Sequence, residues 1–236
     1  MNQRFPYFFS GIAAIALCLS SVPSASAITI TPTGTSFGPL SAATFGGSGI
    51  PNDAVQITTV GDVTLGLTAT PRYSDPAVTN DGAGTFSAVV GNDTAQGHPA
   101  YAQWNVDLYV QGLATNQFAR LFYDNDSSVG NDVSSSIFLP VDYQDSWNLG
   151  MSFLNGGVFN PNTSGQYAFA LVVYQSVVLT DSANEGPVQL GSVEQGRAAI
   201  LVNVGNASSV PDGGNMMLMF AGAIGALAML RRRFVA

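Results

Sequence analysis

Apolar and polar residues alternate at period two in several stretches of the chain. Val55 and Ile57, then Val63, Leu65 and Leu67, lie on either side of Gly61-Asp62. That spacing predicts a hairpin of two half-buried strands over 55–68. Thr85 to Val90 reads as a short strand after the turn residues Asn80-Asp81-Gly82. Tyr101 to Val110 places Trp104, Val106, Leu108 and Val110 on one face. Gln117 to Asp124 is its expected partner, with Phe118, Leu121 and Phe122. Ile137 to Val141 is short and apolar, and Ser146 to Leu154 sets Trp147, Leu149, Met151 and Phe153 at period two. Tyr167 to Leu179 is the longest apolar strand, and Arg197 to Val204 is the last. The stretch 30–49 reads as a loop-rich entry or a first edge strand, 71–84, 91–99, 130–136 and 155–165 read as loops, and 181–196 is polar with a Pro-Gly break. No run between Ile28 and Ser209 keeps a helical period. Eight to ten short strands in turn-rich loops predict an all-β fold, an antiparallel β-sandwich of the jelly-roll or immunoglobulin-like kind.

The two ends break this pattern. Near the N-terminus Arg4 precedes an apolar stretch from Phe8 to Leu19, and Ala25-Ser26-Ala27 forms an A-x-A site. This predicts a cleavable signal helix over 1–27 and a mature start at Ile28. Cleavage there removes Cys18, the sole cysteine. Disulfides, zinc–thiolate sites and thiol nucleophiles are then excluded. The C-terminus reads Val210-Pro211-Asp212-Gly213-Gly214, an apolar run over 215–230, and Arg231-Arg232-Arg233. Sixteen helical residues span roughly 24 Å. A bilayer core is about 30 Å thick, so the run predicts a single, short transmembrane helix. The arginines place its end in the cytoplasm and the domain before it outside. The chain thus divides into a signal peptide (1–27), an ectodomain (28–209) and a tail (210–236).

The order of the tail resembles the PEP-CTERM class of bacterial sorting signals, in its VPDSG-like variant. Asp212 stands where the common form has Glu, and Gly213 where it has Pro. The resemblance implies an exosortase, a membrane-embedded cysteine transpeptidase, as the partner that reads Val210 to Gly214. It also implies transient anchoring in the inner membrane, then delivery to the cell surface or the extracellular matrix, with exopolysaccharide as a further partner. Asn80 to Phe86, Trp104-Asn105, Tyr123-Asp124, Asp145 to Gly150 and the 160–171 stretch are similar to ectodomains that often precede such tails. That group implies no activity.

Charge narrows the function classes. The chain has no lysine, and 28–209 holds three arginines (Arg72, Arg120, Arg197) against fourteen carboxylates, a formal charge of −11. Nucleic acid needs a basic footprint, so it is not an expected partner. Solubility outside the cell is the plain reading of the acidic surface.

Few residue groups point to chemistry. Asp124-Asn125-Asp126-Ser127-Ser128-Val129-Gly130-Asn131-Asp132 concentrates oxygen donors. Asp124, Asp126 and Asp132 are candidate Ca²⁺ ligands. The loop departs from an EF-hand: Gly130 is its seventh residue, and Ser135, not Glu, is its twelfth. A solvated turn built from the same residue types is the alternative. Asp142 and Asp145 beside Tyr143 and Trp147 form a carboxylate pair of the kind glycoside hydrolysis uses. His98, the sole histidine, lies in a Gly-His-Pro loop without a nucleophile elbow. Trp104 and Trp147 read as core residues, or as a sugar-stacking platform if exposed together. No phosphate loop, dinucleotide fingerprint or zinc motif is present, and no catalytic residue is assigned. The leading reading is a secreted, non-enzymatic, surface-sorted protein without a cofactor. The alternatives are a carbohydrate- or calcium-dependent adhesion module and a polysaccharide-active enzyme.

Overall fold

The computed structural model describes residues 28–128, 132–133, 135–179 and 189–205. The predicted signal helix and the whole tail, including the Val210–Gly214 motif, the span 215–230 and Arg231–Arg233, lie outside them. The described residues form thirteen strands in chain order: β1 (Ile28–Thr29), β2 (Ser36–Gly38), β3 (Val55–Val60), β4 (Val63–Pro71), β5 (Thr79–Asn80), β6 (Thr85–Ala88), β7 (Trp104–Gln111), β8 (Gln117–Tyr123), β9 (Asp132–Val133), β10 (Ser135–Leu139), β11 (Tyr143–Trp147), β12 (Gly165–Leu179) and β13 (Gln189–Val204). A single turn of helix, α1 (Ser152–Asn155), lies between β11 and β12. Among the described residues no helix is long and apolar enough to cross a membrane.

The strands form a six-stranded sheet, β10-β8-β12-β13-β6-β5, and a five-stranded sheet, β11-β7-β4-β3-β2. A small pair, β1 with β9, stands apart from both. The two large sheets enclose one core. Val63, Leu65, Leu67 and Ala69 of β4 and Trp104, Val106, Leu108 and Val110 of β7 enter it from one side. Tyr167, Phe169, Leu171 and Val173 of β12 and Ala198, Ile200 and Val202 of β13 enter from the other. The alternation read from the sequence therefore marks the faces correctly on these strands. Trp104 lies 5.7 Å from the Tyr167 ring and 6.2 Å from that of Phe169. Trp104 is 2% exposed and Trp147 7%. The pair is core, and the exposed sugar platform does not exist.

The 55–68 hairpin is present as expected. Val60 pairs with Val63, and Gly61 turns the chain at φ 58°, a conformation glycine adopts without a Cβ penalty. Other expectations are corrected. Gln117 to Asp124 is not the partner of Tyr101 to Val110: β8 lies between β10 and β12 in the six-stranded sheet, while β7 pairs with β4 and β11 in the other. The fold is mixed, not purely antiparallel: β6 runs parallel to the end of β13, with Leu201 opposite Thr85. The segment after β4 crosses from one sheet to the other, so β6 arrives beside β13 in the same direction. Ser146 to Leu154 is not one strand. Asn148 donates to the carbonyls of Ala102 and Trp104 and accepts from the amides of Ala102 and Gly150. Its side chain takes the place of strand pairing, the backbone turns, and α1 follows. The last strand does not start at Arg197, because β13 begins at Gln189 and pairs with β12 out to Leu179. The 130–136 stretch holds β9 and the start of β10.

Candidate functional site

The second face of the five-stranded sheet positions the site. Polar positions alternate with the core residues there: Thr68 and Thr70 on β4, Asn105 and Asp107 on β7, Gln144 and Ser146 on β11. Cross-strand pairing sets Thr68 and Ser146 on either side of Asp107. Alternation alone would leave this face in water. Instead the segment between β2 and β3 folds back over it. Ala43, Phe45, Val55 and Tyr109 form a small second core, joined by Leu40, Ile50 and Ile57. Gln144 pins the cover, its Oε1 accepting from the amides of Thr44 at 2.8 Å and Phe45 at 3.0 Å.

Replacing Gln144 with alanine leaves both amides without that acceptor. The expected cost is about 1 kcal/mol, with faster proteolytic cleavage between residues 40 and 50. Cleavage there at the wild-type rate would show that the cover is held by its apolar contacts alone.

Between the cover and the strand ends lies a cleft of about 610 Å³. Thr70, Asn105 and Ser146 form its floor, Arg72 and Asp145 its walls, Tyr73 its lip, and Phe45 to Pro51 its roof. Two of its residues carry strained backbones, Phe45 at φ 46° and Tyr73 at φ 50°. Left-handed φ is costly for bulky side chains and gathers at binding and switch positions.

The polar groups around the cleft form one network. Arg72 Nε donates to Asp93 Oδ2 at 2.9 Å, and both residues are buried. The guanidinium sits between the rings of Tyr73 and Tyr101, at 4.9 and 4.8 Å. Burial would raise the Asp93 carboxyl, but the Arg72 hydrogen bond, the Gln96 amide and the Arg72 charge hold it below its ordinary value. Asn105 donates to Ser146 Oγ at 2.9 Å and accepts from Asn148 at 2.8 Å. Beneath the floor, Asp107 is fully buried and accepts from the Thr70 hydroxyl at 2.7 Å. Burial pushes its carboxyl up to about 7. The Ser146 and Thr70 hydroxyls oppose that rise in part, and the charge of Asp145 adds to it. Asp145 accepts from Tyr143 Oη at 2.7 Å, Trp147 Nε1 at 3.0 Å and the Ser146 amide at 2.8 Å.

The residues singled out from sequence fall elsewhere, or only partly here. Asp142 lines a different, smaller cleft with Tyr109 and Gln144, and it accepts from the Gly112 amide. It does not converge with Asp145. His98 is exposed and packs on Tyr101 at 5.0 Å between ring centres. Asp124 is buried and accepts from the Asp126 amide, and Asp126 accepts from that of Ser128. Both are Asx turns within the loop. The side chain of Asp132 lies outside the described residues. Among those residues no group of three or more His, Cys, Asp or Glu is placed to hold a metal. Arg72, Tyr73, Asp93 and Asp107 went unassigned in the sequence. Only Asp107 left a signal, a charged residue inside a strand-like run; Arg72, Tyr73 and Asp93 lie in stretches that read as loops.

The chain leaves this domain through β13, which ends at Val204. Residues 209–234 match the family model described as the VPDSG-CTERM motif. The tail is a PEP-CTERM-like exosortase sorting signal. A VPDSG-CTERM tail implies export and sorting to the cell surface, with processing by an exosortase. It speaks for the tail alone. No curated protein and no solved structure matches the chain significantly.

Proposed function

We propose that this is a non-enzymatic surface protein, a β domain that is exported and handed over at its VPDSG-CTERM tail. The observation that carries the reading is the tail itself, opening at Ser209 just after the last strand. An exosortase would then read Val210 to Gly214 in the sequence that follows the domain. In this reading the leader 1–27 is removed after Ala27, and 215–230 anchors the chain in the inner membrane. Arg231 to Arg233 hold the cytoplasmic end until processing releases the domain toward the surface or an exopolysaccharide matrix. The domain belongs with jelly-roll and immunoglobulin-like sandwiches in using two facing sheets. It works without a cofactor.

Three placements support the absence of catalysis. Asp142 and Asp145 line separate clefts, so they do not flank one sugar bond. His98 lies outside the main cleft, so Ser146 and Ser48 lack a histidine base. Asp107 has the raised pKa of a general acid, pushed up by burial, but no surface through which to reach a substrate.

Mass spectrometry of the mature C-terminus tests the proposal. With a cognate exosortase the chain is expected to end within or near 210–214, and without it to end at Ala236. Intact Arg231–Arg233 in both cases would overturn it.

A further inference from the structure

We propose that the cleft over β4, β7 and β11 binds a neutral saccharide. The inference rests on the cleft and stands whether or not the tail is processed. A volume of about 610 Å³ lies within the usual span of ligand sites, about 300–1,000 Å³. Its chemistry then selects the ligand.

Arg72 lines the cleft with a guanidinium fixed by Asp93 and held between two rings. A guanidinium has five N–H donors. Asp93 takes one and Asn105 a weak second at 3.5 Å, so donors remain for the cleft. Asp145 stands on the same cleft as a fixed acceptor. Its oxygens take three hydrogen bonds from Tyr143, Trp147 and Ser146, leaving about one of a carboxylate's four lone-pair sites. A planar donor and a carboxylate facing one space suit vicinal hydroxyls, each of which both accepts and donates. The hydroxyls of Thr70 and Ser146 line the floor between them.

Tyr73 supplies the apolar contact. The residue is 66% exposed at the lip, and its backbone there is strained. An aromatic face with a polar rim matches a sugar ring, which has C–H faces and a hydroxylated edge.

Charge excludes the other ligands of this size. The Arg72 charge is already balanced by Asp93, and Asp145 adds a negative charge to the wall. An anion would enter against that charge and the −11 of the domain. A hard cation needs several carboxylate oxygens, and this cleft offers one carboxylate beside a guanidinium.

The test uses the full chain in a sugar-free detergent, on an array of neutral and uronic-acid oligosaccharides. Neutral glycans are expected to bind. Tyr73→Gly removes the ring and relaxes the left-handed backbone, so the fold is kept and its melting temperature holds or rises. Affinity is expected to fall about tenfold. Ser146→Ala is expected to weaken binding, and Phe138→Ala, exposed on the other sheet, to leave it unchanged. No captured glycan, capture of uronic-acid glycans only, or binding untouched by Tyr73→Gly and Ser146→Ala would each overturn the proposal.

Discussion

Asp93→Ala is expected to destabilise the domain by about 3–5 kcal/mol, the range for removing one partner of a buried ion pair. Asp93 is fully buried and Arg72 is 8% exposed. Removing the carboxylate leaves a guanidinium that cannot lose its proton and has little water to turn to. The Gln96 amide, which donates to Asp93 at 3.0 Å, loses its acceptor as well. In a domain of this size that cost lowers the melting temperature by roughly 10 °C. Acid should reproduce part of the loss. The Asp93 carboxyl is held below its ordinary value of 3.8. Its stabilisation is therefore complete above that value and disappears as pH falls through the lower, folded one. Arg72→Met in the Asp93→Ala background removes the stranded charge, so the double variant should melt above Asp93→Ala. Equal melting of Asp93→Ala and the parent would show that the pair contributes nothing.

The same pair shows where sequence reading reaches its limit. Strands with one wet and one dry face were legible because the period-two pattern reports a single core. Val63, Leu65 and Leu67, or Trp104, Val106 and Leu108, declare their side directly. Thr70, Asn105 and Asp107 declare only that they face the other way. Whether that way is water depends on a segment twenty residues or more distant. The apolar residues Leu40, Ala43, Phe45 and Ile50 were visible in the 30–49 stretch and just beyond it. Their glycine-rich surroundings gave no period to attach them to a sheet. Arg72 and Asp93 both sit in connections between strands, where charged residues are the rule, and nothing local marks them as partners. Asn148 likewise looked like the polar member of an alternating strand. Its four backbone contacts convert that strand into a turn and link it to Ala102 and Trp104. The tail, by contrast, is read by linear order, so its residues were legible without any fold.

Between pH 5 and pH 8 the domain is expected to lose stability, and Asp107→Asn is expected to abolish most of that loss. Asp107 has no exposed surface, and burial pushes its carboxyl from 3.8 up to about 7. The folded state therefore binds more protons than the unfolded chain between those values, and stability falls as pH rises through the window. Below 3.8 both states are protonated and the group costs nothing. Above about 7 the folded domain holds a buried carboxylate, at a cost on the order of 4 kcal/mol. Asp81 and Asp93 act in the opposite sense, but their carboxyls are held low, so their effect lies below the window. Asparagine keeps an oxygen for the Thr70 hydroxyl and offers its amide to Ser146 while carrying no charge. Thermal melts at pH 5 and pH 8 decide the matter. The parent should lose roughly 10 °C across that interval, and Asp107→Asn should be nearly level and more stable than the parent at pH 8. A parent curve that is level or rising would mean that Asp107 stays neutral or finds water when the domain breathes. Because Asp107 supports Thr70 and Ser146 from beneath, saccharide affinity should weaken over the same interval in the parent and hold in the variant.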